Sequence, residues 1–197
     1  MEQVQNVELA LPLANELVVV FGPHAGGNRM LDLVARLTLR GTVYLLDCGN
    51  RSNMYHVARA LRPLTNDPTG MLRNIRLSRA FTCYQVHALV EKLVPQTGIP
   101  VLILDLLSTF MDESVQLEES AMIFDKTMDC ILAASRVAPV VVSAKPLLSL
   151  SSPRLVLLAR LKSEATHVWE ELSLMPPEPV ELQPSLFGEA GLLRGGR

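Results

Sequence analysis

Apolar residues along this chain of 197 residues fall into two alternating rhythms. The runs "ELVVVFG", "TVYLLDC", "NIRLSRAF", "VLILDLL" and "APVVVSA" are short, continuous and rich in β-branched residues or leucine. Such runs predict strands buried on both faces, the habit of a parallel sheet. Between them, "NRMLDLVARLTLR", "NMYHVARALRPL", "YQVHALVEKLV" and "ESAMIFDKTMDCILAASR" place apolar residues three and four apart and predict helices with one buried face. The order β-α-β-α-β-α-β-α-β specifies an α/β fold, a mostly parallel central sheet flanked by helices and joined by right-handed crossovers. The later stretch "RLVLLARLKSEATHVWEELSL" reads as two closing strands with a turn at "KSEA", although its first half also tolerates a helix. After Met175 the chain turns rich in Pro and Gly and loses any sustained period. The expected organisation is a core domain over residues 1–175 and a flexible tail over 176–197.

Composition narrows the class. The length suits one domain with a proper core. No apolar run reaches the roughly 18 to 20 residues needed to cross a bilayer, and "MEQVQNVELA" lacks the basic start and apolar stretch of a signal peptide, so a cytoplasmic protein without membrane contact is expected. Cys48, Cys83 and Cys130 are widely spaced and odd in number, which suits reduced thiols rather than a disulfide framework or zinc site. His24, His56, His87 and His167 share no metal-ligand spacing, and no Gly-x-Ser-x-Gly turn marks a hydrolase nucleophile.

A formal net charge of −2 argues against a general polyanion binder, but the charges are unevenly spread. Between residues 51 and 79 stand Arg51, Arg59, Arg62, Arg73, Arg76 and Arg79 with Asp67 as the sole acid; between 105 and 129 the balance inverts. Each run reads either as a solvated face or as half of a bipolar surface that selects a partner. Arg51, Arg59, Arg73, Arg76 and Arg79 are the candidate DNA-binding residues.

The stretch "FGPHAGGNR" carries candidate chemistry. Gly22 and Gly27 have the spacing of a phosphate-binding loop between a strand and a helix, where backbone N–H groups and the helix dipole favour anions. Such loops continue with Lys, which neutralises phosphate, and with Ser or Thr, which holds magnesium. Here Asn28 supplies no cation, and the guanidinium of Arg29 has no lone pair for a metal. Asp105, ending "VLILD", stands where a second acidic motif would help hold hydrated magnesium. Two readings stay open: weak binding of ATP and magnesium through Gly22, Gly27, Asn28, Arg29 and Asp105, or a turn that only joins strand to helix.

The order of "FGPHAGGNR", "TVYLLDCGN", "NIRLSRAFTCYQVHALVEKL", "VLILDLLSTF" and "VVVSAK" resembles the core ATPase domain of the RecA/RadA recombinase superfamily over about Glu16 to Leu174. Arg79, Ala80, Phe81 and Gln85 resemble that family's Arg-Ala-Phe triplet and following helix. The resemblance implies a RecA-like P-loop core. Where the family carries a catalytic glutamate after the second strand, this chain has Gly49 and Asn50, so a non-catalytic member is expected, with neither ATP nor magnesium as a regular cofactor. The family's DNA-contacting loops correspond to "STFMDESVQLEES", which is acidic, and "AKPLLSLSSPRL", which offers only Lys145 and Arg154. In the tail, "QPSLF" resembles the Gln-x-x-Leu-Phe peptide by which bacterial polymerases and repair proteins bind the replication sliding clamp, with Gln183, Leu186 and Phe187 in the recognised places. Together these features resemble the small RecA-like accessory proteins that accompany bacterial repair or error-prone polymerases. They imply an adaptor in DNA repair, recombination or translesion synthesis within the SOS response, with a sliding clamp, a repair polymerase or a recombinase as partner.

Overall fold

The protein was analysed as a computed structural model, which describes residues 15–146 and 152–170. The expected tail, with Gln183, Leu186 and Phe187, lies outside the described residues. Six strands form the sheet: β1 Leu17–Phe21, β2 Val43–Asp47, β3 Ile75–Arg79, β4 Val101–Leu104, β5 Val140–Ala144 and β6 His167–Glu170. Their spatial order is β3-β2-β4-β5-β1-β6, and every pairing is parallel. The helices are α1 Gly27–Thr38, α2 Met54–Leu61, α3 Pro68–Leu72, α4 Cys83–Glu91, α5 Leu117–Ser135 and α6 Leu155–Glu164, with a 3-10 turn over Leu106–Met111. This is the α/β architecture that the alternating periods predict.

Strand alternation divides the core into two layers. Val18 and Val20 of β1, Leu45 of β2, Leu102 and Leu104 of β4 and Val141 of β5 pack against α1 and α2. Their neighbours Leu17, Val19, Leu46, Ile103, Val140 and Val142 face α4, α5 and α6 on the other side. The four inner strands are therefore apolar except at Tyr44 and Asp47 of β2 and Ser143 of β5. The edge strand β3 is exposed or half-buried along its length, which is why "IRLSR" admits two arginines and a serine. Side chains begin several helices: Asn53 caps α2, Asp67 caps α3 with Pro68 following, and Thr82 caps α4.

One expectation is corrected. The segment read as two closing strands is a helix, α6, followed by a single strand, β6, that joins the far edge parallel to β1. The continuous run "LVLL" suggests a strand, but the residues that enter the core are Leu157, Leu158 and Leu161, spaced as on one helical face, while Val156 is 55% exposed.

Arg154, at the start of α6, is buried and makes a cross-brace. Its Nη1 donates to the carbonyl of Phe110 at 2.6 Å and its Nη2 donates to the carbonyl of Val115. These two bonds tie the connection between β4 and α5 to α6. Replacing Arg154 with methionine keeps the buried stem but strips both carbonyls of their cationic donor. The expected loss is roughly 1–3 kcal/mol, read as a lower urea midpoint at unchanged slope. No helix among the described residues is long and apolar enough to cross a membrane.

Candidate functional site at the carboxyl ends of the strands

The connections that follow β1 and β2 run to one face of the sheet through α1 and α2, whereas those that follow β3, β4 and β5 run to the other through α4, α5 and α6. In the observed strand order, connections of opposite direction stand side by side at β2/β3, β2/β4 and β5/β1. Crevices open at the carboxyl ends of strands at such positions, and ligands of open α/β sheets bind there. The glycine-rich loop occupies the crevice beside β1, and a cluster of charged residues occupies the crevices around β2.

In the loop, the backbone is folded onto itself. Ala25 N donates to Gly22 O at 2.9 Å, Gly27 N donates to His24 O at 2.9 Å, and Gly22 N reaches across to Ala144 O at 3.2 Å. Three of the loop's amides are thus spent on its own carbonyls and on β5. Ala25 and Gly26 are left-handed, with φ of 52° and 63°. A Cβ on Gly26 would sit 2.6 Å from Cγ1 of the buried Val20, whereas one on Gly27 would meet only His24 Cβ at 3.5 Å. The glycine that the geometry requires is Gly26, one residue before the one that motif spacing singles out. Asn28 is exposed, and the Arg29 guanidinium lies 4.8 Å above the Trp169 ring of β6 in a cation–π contact. These residues do not fit magnesium ATP held in the usual way: they present neither the ammonium nor the hydroxyl.

The second cluster is built on two aspartates that end adjacent strands. Asp47 closes β2 and is fully buried. Its Oδ1 accepts from Gly49 N at 3.3 Å and Arg51 N at 2.8 Å; its Oδ2 accepts from Ser52 N at 3.0 Å, Ser52 Oγ at 2.5 Å and Arg79 Nε at 3.2 Å. Arg79 also donates through Nη2 to Ser52 Oγ at 2.6 Å. Burial pushes the Asp47 carboxyl up, but the Ser52 hydroxyl, the Arg51 and Ser52 amides and the Arg79 charge outweigh it and hold the group below its ordinary 3.8.

Asp105 follows β4, is equally buried, and adopts a left-handed backbone with φ 52°. Its Oδ2 receives Arg51 Nε at 3.2 Å and stands 3.7 Å from Lys145 Nζ, which extends from the end of β5. Its backbone N–H donates to Ser143 Oγ at 3.0 Å, and its Oδ1 is buried without a hydrogen-bond partner among the described residues. Gly49 lets this residue approach: a Cβ there would lie 2.6 Å from both Asp105 Cβ and Oδ2. Arg51 joins the two halves, since its amide serves Asp47 and its side chain serves Asp105. Cys48 lies between them, and burial, followed by the two carboxylate charges, pushes its thiol up to about 12, which makes it a poor nucleophile.

Of the residues expected from the sequence, Asp105 is central, with its Oδ2 engaged by an arginine and a lysine and its Oδ1 buried. Arg51 and Arg79 come together through Asp47, whereas Arg59 stands on α2, Arg73 follows α3 and Arg76 lies exposed on β3. Asp47, Ser52 and Ser143 are additional members that the motif search passes over. Their signal is the repeated ending of apolar strands in aspartate, "LLD" beside "LILD". No protein-family model matches the chain, and no curated protein matches it either.

Proposed function

We propose that this chain is a non-catalytic RecA-like accessory domain that serves as an adaptor in bacterial DNA repair, recombination or translesion synthesis. The observation that carries the reading is the pairing of Asp105. The carboxylate that an active relative would lend to hydrated magnesium is buried here against Arg51 and Lys145. A metal at this carboxylate would have to compete with a guanidinium and an ammonium for it, and the loop beside β1 brings neither the lysine nor the hydroxyl that would help hold phosphate and magnesium. The core is then a scaffold, and its partner contact lies in the tail sequence. Gln183, Leu186 and Phe187 are the residues through which a sliding clamp would be engaged, the two apolar side chains as anchors and the glutamine at the rim.

The test has two arms. Thermal unfolding of the full chain with ATP and magnesium up to millimolar concentration is expected to show no saturable shift that depends on the loop. A saturable shift abolished by Gly27→Glu makes the chain a nucleotide-binding protein instead. Binding of a purified bacterial sliding clamp is expected, and it is expected to vanish when residues 181–197 are deleted. Clamp binding that survives the deletion, or none by the full chain, overturns the adaptor reading.

A further inference from the structure

The cations of the Asp47–Asp105 cluster have donors left over. Arg51 reaches Asp105 through Nε, Arg79 spends Nε on Asp47 and Nη2 on Ser52, and Lys145 stands 3.7 Å from Asp105 Oδ2, beyond hydrogen-bond distance. Among the described residues, the terminal nitrogens of Arg51, Nη1 of Arg79 and Nζ of Lys145 meet no hydrogen-bond acceptor. Each side chain is anchored at a carboxylate that is 0% exposed, yet is itself 38–40% exposed. Three cations surround two carboxylates, which leaves one positive charge in excess. Arg51 and Lys145 share a single carboxylate oxygen, so their heads are held close together, and Arg79 is tied to Arg51 through Asp47 and Ser52. The cluster sits at β2/β3 and β2/β4, where the strand order opens two neighbouring crevices.

We propose that Arg51, Arg79 and Lys145 form a binding site for the phosphoryl group of a small phosphate ester, separate from the glycine-rich loop. Buried carboxylates preorganise the cations, so little side-chain entropy is lost when an oxyanion arrives. Guanidinium edges and an ammonium are the donors that match tetrahedral phosphate oxygens. The neighbouring rim favours a small ligand over a nucleic acid. Tyr84, in the first turn of the helix that follows β3, donates to Glu119 at 2.7 Å, which brings the acidic start of α5 to this end of the sheet. A single phosphoryl group can avoid those carboxylates, and a polyanionic strand running over the rim cannot. The inference does not depend on the adaptor reading or on the tail.

The experiment titrates inorganic phosphate into the full chain at constant ionic strength, set with sodium chloride, and follows unfolding temperature and the phosphorus NMR line width of the anion. A parallel arm uses an oligothymidylate without a terminal phosphate. The expected result is a saturable response to phosphate whose dissociation constant rises about fivefold or more in Lys145→Gln and in Arg51→Lys, with no saturable response to the oligonucleotide. Lys145→Gln breaks no close hydrogen bond, so it carries the test if Arg51→Lys fails to fold. No saturable phosphate response overturns the proposal, as does an affinity unchanged in Lys145→Gln. Oligonucleotide binding that the same variants abolish, without a phosphate response, assigns the cations to nucleic acid and also overturns it. An ATP response lost in Lys145→Gln but kept in Gly27→Glu belongs to this site and leaves the adaptor reading intact.

Discussion

Replacing Asp47 with alanine is expected to remove about 3–5 kcal/mol of stability, because several donors to a buried carboxylate lose their acceptor at roughly 1–3 kcal/mol each. The carboxylate is fully buried and accepts from three backbone amides, one hydroxyl and one guanidinium. Without it, the turn over residues 49–52 loses the acceptor that shapes it, and Arg79 loses its buried anchor. Asparagine is no remedy, because its amide would turn hydrogens towards the donors of Ser52 and Arg79. Urea unfolding of the variant measures the loss, and a midpoint within a few tenths molar of the parent would refute this account. The same group sets an acid limit. Its folded carboxyl lies below the ordinary 3.8, so its contribution is fully present above that pH and is lost as pH falls through the lower folded value. In the alanine variant this acid-dependent step is expected to disappear.

The second large effect is expected at Gly26. Alanine there must adopt φ near 63°, at a cost of about 1–2 kcal/mol, and must place a methyl 2.6 Å from Val20 Cγ1, which overpacking data put at about 1–3 kcal/mol more. Val20 is 0% exposed in the middle of β1 and has no room to retreat. Gly27→Ala is the control, since its Cβ meets ordinary contact and its residue begins a regular helix. It is expected to be neutral or slightly stabilising. Comparable losses in both variants would show that the loop is held by something other than this contact.

The strands and most helices were legible because their apolar residues keep strict periods over several residues. The helix α6 was not, since four consecutive apolar residues carry no period of their own and which of them turn inwards is set by the packing of α6 against α5 and β1. The short helix α3 leaves no periodic signal for a different reason: "PTGML" has no buried residue and owes its turn to the Asp67 cap. At the candidate site, Asp105 was visible from its place after a strand. Its partners were not, because Arg51, Arg79 and Lys145 come from three separate strand ends and meet only through the crossover topology. The requirement for Gly26 was hidden as well, since it depends on how closely the loop lies on β1.

The pairing of β1 has a consequence for biosynthesis. Its two neighbours are β5 and β6, and its first backbone amide donates to Thr166 Oγ1, 149 residues further on. Among the described residues no strand is joined to its neighbour by a hairpin, so "LVVVF" leaves the ribosome before either partner strand has been made. At about 5–20 residues per second, this uncharged β-branched segment waits many seconds without its sheet, the circumstance in which nascent chains recruit chaperones or aggregate.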